Sequence, residues 1–572
     1  MKTKNIISLF LTLFVGLASS YAQNKPLPYL AKNKSGVVQF YVDNKPFIML
    51  SGELHNSSCG SAYSMRDMWS VMAKKNLNTV IAPVSWELIE PQEGVFDYSL
   101  VDSMIYGARK ENLKLVVIWF GSWKNGKSSY VPEWVKTDTK RFPLVQDKTG
   151  KKLPILSTLS QNSLNADAHA FAKLMKHIRK IDEKEQTVIM VQVQNEIGIL
   201  GSDRDYSDVG NKAFNEEVPA ELIKYIQKHK DNLYPELKNV WEANGYKTNG
   251  TWEEVFGQGV EKEWGSDWQI SFSKYTEELF MAWNYAKYVG EISKKGKEQY
   301  PLPMFANAWL RQKKGPIPGQ FPSGGPLPEV LDIWRAAAPS IDFIAPDIYT
   351  VRIFDWVCSE FKRSDNPLFI PETSLGAASA ARALLAIGEY DAIGYSPFNI
   401  DGGGMFTIGD VNDESLSQVY NCLQSIMPLI TKYAGTDNMS GIYLDKKKED
   451  AQLDIGDYVI NVKRNSIRNS FDITGVDIEM EVVKDNGEIG LIVIKLQNDE
   501  FIVAGGVGGV SISISKSEKN KWENIAFTSV DEIMSENGKV INHRLNGDET
   551  ASGGIIIKPG EVKVFKIKMY GY

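Results

Sequence analysis

Short apolar runs alternate with helical patterns from about residue 36 to 400. The runs fall at 47–50, 78–86, 113–120, 187–196, 302–307, 341–347, 367–372 and 392–397, eight in all. Between the first two, Met65, Met68, Trp69, Met72 and Ala73 recur at helical spacing, which predicts an amphipathic helix. Runs that are apolar throughout, rather than alternating, suit strands buried on both faces. Eight of them separated by helices predict a closed (β/α)8 TIM barrel. Several runs finish in polar or aromatic residues: His55, Trp86, Asn195-Glu196, Asn307, Asp347-Ile348-Tyr349 and Glu372. In such a barrel the C-terminal strand ends carry the active site, so these endings mark candidate chemistry. The long segment at about 200–300 holds Trp241, Trp252, Trp264, Trp268 and Trp283 and predicts helices inserted over the barrel mouth.

Beyond about residue 430 the pattern changes. Short β-like runs at 458–462, 478–483, 491–496 and 562–569 are separated by turn residues, including Asp485-Asn486-Gly487 and 505–509. They predict a smaller C-terminal β-sandwich over 431–572, with the barrel occupying 23–430. At the other end, Lys2 and Lys4 precede an apolar run at 6–17, and Ser20-Tyr21-Ala22 offers small residues for cleavage. Residues 1–22 therefore read as a signal peptide, and the mature chain as exported, to a periplasm or beyond the cell. No later stretch is apolar enough to span a membrane. Three cysteines in 572 residues point to a fold that depends on its core rather than on disulfides.

A formal net charge of −7 with no basic stripe argues against nucleic acid as a partner. The five histidines, His55, His169, His177, His229 and His543, have no metal-ligand spacing, so neither a metal nor a cofactor is expected. No Gly-Xaa-Ser-Xaa-Gly elbow supports acyl hydrolysis, and the glycine runs lack the strand-to-helix setting of a phosphate loop. The sequence carries no signal for an oligomeric state. What remains is a carboxylate pair. Glu196 ends the fourth run and Glu372 the seventh, and two carboxyl groups held across a barrel mouth are what glycosidic bond cleavage requires.

The motifs resemble clan A retaining glycosidases and, within them, the β-galactosidases of glycoside hydrolase family 35, including a bacterial branch with a C-terminal β-domain. The resemblance rests on Leu50-Ser51-Gly52-Glu53-Leu54-His55, the segment 86–97, Val193-Gln194-Asn195-Glu196-Ile197-Gly198 and Phe369-Ile370-Pro371-Glu372-Thr373. It implies that Glu196 is the acid/base, Glu372 the nucleophile, Asn195 the partner of the sugar 2-hydroxyl, and Tyr349 the residue orienting the nucleophile. Two positions depart from the family: Pro83 stands where a tyrosine is usual, and Ser122 where a glutamate contacts galactose. Glu53, His55, Asn125 and Glu87 are then the expected readers of the sugar. Trp123, Trp309 and one of Trp264 or Trp268 are expected to form an aromatic platform. The implied function is an exo-acting β-galactosidase trimming polysaccharide or oligosaccharide side chains. The alternatives are a clan A hydrolase for a β-linked glucoside, mannoside or arabinoside, or a carbohydrate-binding protein without catalysis.

Overall fold

The structure, a computed structural model, describes residues 25–258, 274–311, 317–403, 410, 413–464, 487–497, 499–536, 539–551 and 554–572. The signal-like start, Trp264 and Trp268, and the run at 478–483 lie outside the described residues. Eight parallel strands close a barrel: β1 Met49–Glu53, β2 Thr79–Ser85, β3 Lys114–Lys124, β4 Val188–Asn195, β5 Met304–Trp309, β6 Phe343–Ile348, β7 Phe369–Thr373 and β8 Gly394–Pro397. Each corresponds to one of the eight apolar runs, and they pair in chain order around the ring. Almost every residue in them is buried, as expected of strands covered on both faces.

The lower interior of the barrel is apolar. Met49, Ile81, Val116, Ile118, Ile189, Phe305, Phe343 and Phe369 pack there in one cluster. Phe40 and Val42, from a three-stranded antiparallel sheet preceding the barrel, belong to the same cluster and plug that end. Outside the strands lies a ring of helices. Helix α1, Gln161–Asp182, starts where the Ser160 hydroxyl accepts the Ser163 N–H, and buries Phe171, Leu174, Met175 and Ile178 along one stripe, spacing that places them on one face. It packs against α2, Tyr275–Gln299. The inserted segment is helical as expected, but α2 belongs to the outer ring rather than to the cover. Trp241, Trp252 and Trp283 are all buried.

Helix α3, Ala377–Gly388, follows β7, and α4, Ser415–Tyr433, closes the barrel. Because α4 runs to Tyr433, the β-domain starts later than residue 430, with strand Met439–Leu444. The domain comprises a six-stranded and a four-stranded sheet, whose antiparallel strands share one core. Helix α3 lies directly on the larger sheet. A side chain at Gly490 would meet the Ala381 carbonyl at 2.1 Å, so only glycine permits that approach. A buried ion pair, Arg382–Glu488 at 3.2 Å, crosses the interface, and Arg382 also donates to the Ser374 hydroxyl just past β7. Among the described residues, no helix is long and apolar enough to cross a membrane.

Candidate active site

The upper end of the barrel gathers polar groups where the lower end gathers phenylalanines. Glu53 ends β1, Lys124 ends β3, Asn195 ends β4 and Glu196 follows it. Asn307 lies in β5, Asp347 in β6, Tyr349 just beyond it, and Glu372 in β7. One carboxylate oxygen from each of Glu196, Asp347 and Glu372 lies within 4.8 Å of the others. Both Glu196 and Glu372 are 6% exposed. The chain turns sharply to present the first of them: Gln194 and Glu196 adopt φ of 67° and 45°, a left-handed conformation that costs free energy for any residue with a side chain.

Hydrogen bonds fix each group. The Glu196 N–H donates to Asn307 Oδ1 at 2.9 Å, and Asn307 Nδ2 donates to Asp347 Oδ2 at 2.6 Å. Tyr349 donates its hydroxyl to Glu372 Oε1 at 2.5 Å. Lys124 Nζ donates to Asn195 Oδ1 at 3.0 Å and to Asn125 Oδ1 at 2.6 Å. This orients the Asn195 amide, with its oxygen occupied and its Nδ2 without a partner among the described residues. Both oxygens of Glu53 and Oε2 of Glu372 are likewise buried without one.

Four carboxyl groups share one ammonium here, and their proton affinities follow. Burial first, then the neighbouring Glu372, push the Glu196 carboxyl up to about 8, against the opposing pull of Lys124. Glu53 is raised well above the usual carboxylate range by burial and then by Glu372, with Lys124 again opposing. Asp347 is raised by burial, then by Glu372 and Glu196. Desolvation and like charge act in the same direction on all three. The three oxygens around Glu196 are close enough to share a divalent cation, but the Lys124 ammonium beside them works against a second positive charge.

Not every expected residue reaches this cluster. Trp123 is a correction: its indole is fully buried between Tyr285 and Tyr288, and its N–H donates to the Leu156 carbonyl. It is core, not platform. Ser122 is also turned inward, bonded to Asp167 and Tyr288, so it does not occupy the place of a sugar-reading glutamate. The reason is local. Pairing between β3 and β4 shifts register between Trp119 and Lys124, and counting along an ideal strand then fails. Glu87 is a second correction: its carboxylate pairs with Lys136 at 2.8 Å. With Pro83 it lines a cavity of about 130 Å³ that none of the clustered carboxylates borders.

Asn125 is exposed; its side chain accepts from Lys124 and its backbone N–H donates to the Asn195 carbonyl at 3.2 Å. His55 is half-buried, its backbone N–H held by Asp401 and its ring near Phe398. Trp309 is half-buried at the end of β5, in register with Asp347. Lys124, Asn307 and Asp347 were not singled out as site residues from the sequence. The polar endings of the fifth and sixth runs pointed at the last two, and nothing in the sequence pointed at Lys124.

Comparison with known proteins agrees in part. Residues 60–258 match a family model described as beta-galactosidase, of the glycoside hydrolase 42 type. Residues 416–556 match one described as a domain of unknown function, DUF5597. A beta-galactosidase from Xanthomonas manihotis is 29% identical over 203 residues, covering 34% of this chain and 31% of its own. The chain thus aligns with about a third of the length of that curated relative. Among solved structures, beta-galactosidase from Bacillus circulans sp. alkalophilus has a TM-score of 0.47 at 11% identity, covering 91% of this chain and 99% of that one. The cold-adapted enzyme from Rahnella sp. R3 has 0.43 at 12%, covering 68% and 57%.

Proposed function

We propose that the protein is a retaining glycoside hydrolase of clan A, exo-acting, which removes terminal β-linked galactose from polysaccharide or oligosaccharide side chains. The observation that carries this reading is the set of buried atoms at the barrel mouth without a partner among the described residues: Glu53 Oε1 and Oε2, Asn195 Nδ2, Asp347 Oδ1 and Glu372 Oε2. A buried polar atom without a partner costs about 1–3 kcal/mol. Five around one carboxylate cluster point to a ligand that brings its own hydroxyls, as a sugar ring does. The spacing of Glu196 and Glu372 supports double displacement, since a retaining pair stands about 5–5.5 Å apart.

In this mechanism Glu372 attacks the anomeric carbon through Oε2, while Tyr349 holds Oε1. Glu196, kept protonated near neutral pH by burial and by its negative neighbours, gives its proton to the leaving oxygen. It then takes one from the water that releases the sugar. Asn195, its oxygen held by Lys124, offers Nδ2 to the 2-hydroxyl, a contact that strengthens in the transition state. Glu53 is placed to read a further hydroxyl, and we assign it the axial 4-position. The family model and the curated relative, both described as beta-galactosidase, support the sugar at the level of likeness. Membership of family 35, which the motifs resemble, stays part of the proposal, as does export by way of residues 1–22.

The test is a panel of aryl β-glycosides with the product anomer followed by NMR. We expect retention, and a galactoside preferred over its glucoside epimer by at least about tenfold in kcat/KM, roughly 1.4 kcal/mol. Equal rates on the two epimers would assign the site to another β-linked sugar. Binding without turnover would make this a carbohydrate-binding protein.

A further inference from the structure

Asp347 has no part in the reaction as just described, yet it is buried in the same cluster. Its Oδ2 accepts from Asn307 Nδ2 at 2.6 Å, and the other end of that amide accepts the Glu196 N–H at 2.9 Å. Asn307 therefore clamps Asp347 and the backbone of Glu196 in one arrangement. The remaining Asp347 oxygen has no hydrogen-bond partner among the described residues, and one carboxylate oxygen of Asp347 lies within 4.8 Å of one of Glu196. Two ionised carboxylates buried that close repel each other, and neither has a hydrogen to give the other. A proton on one of the pair removes both problems.

We propose that Asp347 is a positioning residue which stays protonated and donates a hydrogen bond to Glu196 once Glu196 is ionised, so that proton transfer leaves a carboxyl–carboxylate dyad clamped by Asn307. The inference rests on the reading of Glu196 as acid/base. Before reaction both carboxyl groups are protonated. When Glu196 protonates the leaving oxygen, it becomes a carboxylate and accepts a hydrogen bond from the Asp347 O–H. When water attacks the glycosyl-enzyme, Glu196 recovers one proton and the dyad is neutral again. Asp347 never releases its own. The groups facing the pair favour this order. Glu53 from β1, Glu372 from β7 and Glu196 itself all oppose a charge on Asp347, while the Lys124 ammonium from β3 favours charge on Glu196. Tyr349 is occupied by Glu372.

Two substitutions and one spectrum test the proposal. Asp347→Ala removes the donor to the Glu196 carboxylate. The basic limb of kcat/KM against pH should then rise by about one unit, the size expected for a lost hydrogen bond to a charged group. Asp347→Asn offers an amide N–H in place of the O–H and should return the limb close to its original position. A limb unmoved by Ala would reduce Asp347 to a structural role and overturn the dyad. A limb lowered by Asn would show that Asp347 is normally ionised, and would overturn it equally. Infrared difference spectra of the wild type against Asp347→Asn at pH 7 should show the loss of a protonated carboxyl band. Absence of that band refutes the dyad whether or not any glycoside is turned over. A protein that turns over no substrate but keeps the band would fail the proposed function and leave the protonated Asp347 standing.

Discussion

The two ends of the same barrel solve opposite problems. At the lower end the rings of Phe305, Phe343 and Phe369 pack with centroids 5.1–6.4 Å apart, one pair stacked and two edge to face. Phe40 and Val42 of the N-terminal sheet close their cluster from below. Two to four residues further along the same strands, at Asn307, Asp347 and Glu372, apolar packing gives way to a cluster of four carboxyl groups, one ammonium and a left-handed backbone. The lower end lowers the free energy of folding, while the upper end raises it. A site whose polar atoms await a ligand is stable only because the packing beneath it is not compromised. The two ends should therefore respond to mutation in opposite currencies, turnover above and stability below.

The largest expected effect is at Glu372. Replacing it with Ala should lower turnover by on the order of 10⁵-fold, because the proposed covalent step would lose its nucleophile. Azide, entering where the carboxylate stood, should yield the inverted glycosyl azide and not restore retention, which product NMR will show. The folded protein should remain. Next comes Phe343→Ala, the reciprocal experiment. Emptying a buried aromatic site should cost about 3–5 kcal/mol in denaturant unfolding, while kcat of the molecules still folded changes little. Turnover falling in step with stability would mean that the two ends are coupled, and the contrast would fail.

The lower end and the ring were legible in the sequence because burial on both faces leaves continuous apolar runs, which need only length and spacing to be recognised. Glu196 and Glu372 were legible because each terminates such a run. The upper end was harder to read wherever strands lose their regularity. Lys124 reaches the site because β3 slips against β4 after Trp119, and the same slip turns Ser122 and Trp123 into the core. A side-chain period of two assumes a pleat that is absent there. Glu87 escaped for a different reason: its helix, Trp86–Ile89, begins as soon as β2 ends and aims the carboxylate at Lys136. Asp347 was visible only as a polar strand end, and its meaning depends on Asn307, forty residues away in sequence.

Glu53 should show both currencies at once. Burial holds its carboxyl protonated well above 4.5, whereas in the unfolded chain it ionises near that value. A raised folded-state pKa makes its contribution to stability complete below about pH 4.5. That contribution declines as pH climbs toward the folded value. Glu53→Gln cannot titrate, so its thermal stability should fall less between pH 5 and 8 than that of the wild type. Its advantage at pH 8 should be about 1.4 kcal/mol for each pH unit over which the unfolded Glu53 is ionised and the folded one is not. The same substitution should weaken the preference for galactoside over glucoside. Identical stability profiles would place Glu53 in contact with water rather than in the dry cluster.

The smallest effect marks where the upper end stops. Glu87 and Lys136 form an ion pair at 2.8 Å with side chains 36% and 40% exposed. Such a pair contributes about 0–1 kcal/mol, because water screens it and both long side chains must be ordered. Glu87→Ala should therefore shift the unfolding midpoint barely above error. It should leave kcat/KM and the epimer ratio unchanged, since the carboxylate borders the neighbouring cavity and not the cluster. Parallel measurement with Glu53→Gln makes the comparison sharp, as both residues follow adjacent strands of one barrel mouth. If the Glu87 variant also lost epimer preference, its carboxylate would have to leave Lys136 and swing into the site when sugar binds. The boundary drawn here between reading residues and supporting surface would then have to move outward by one strand.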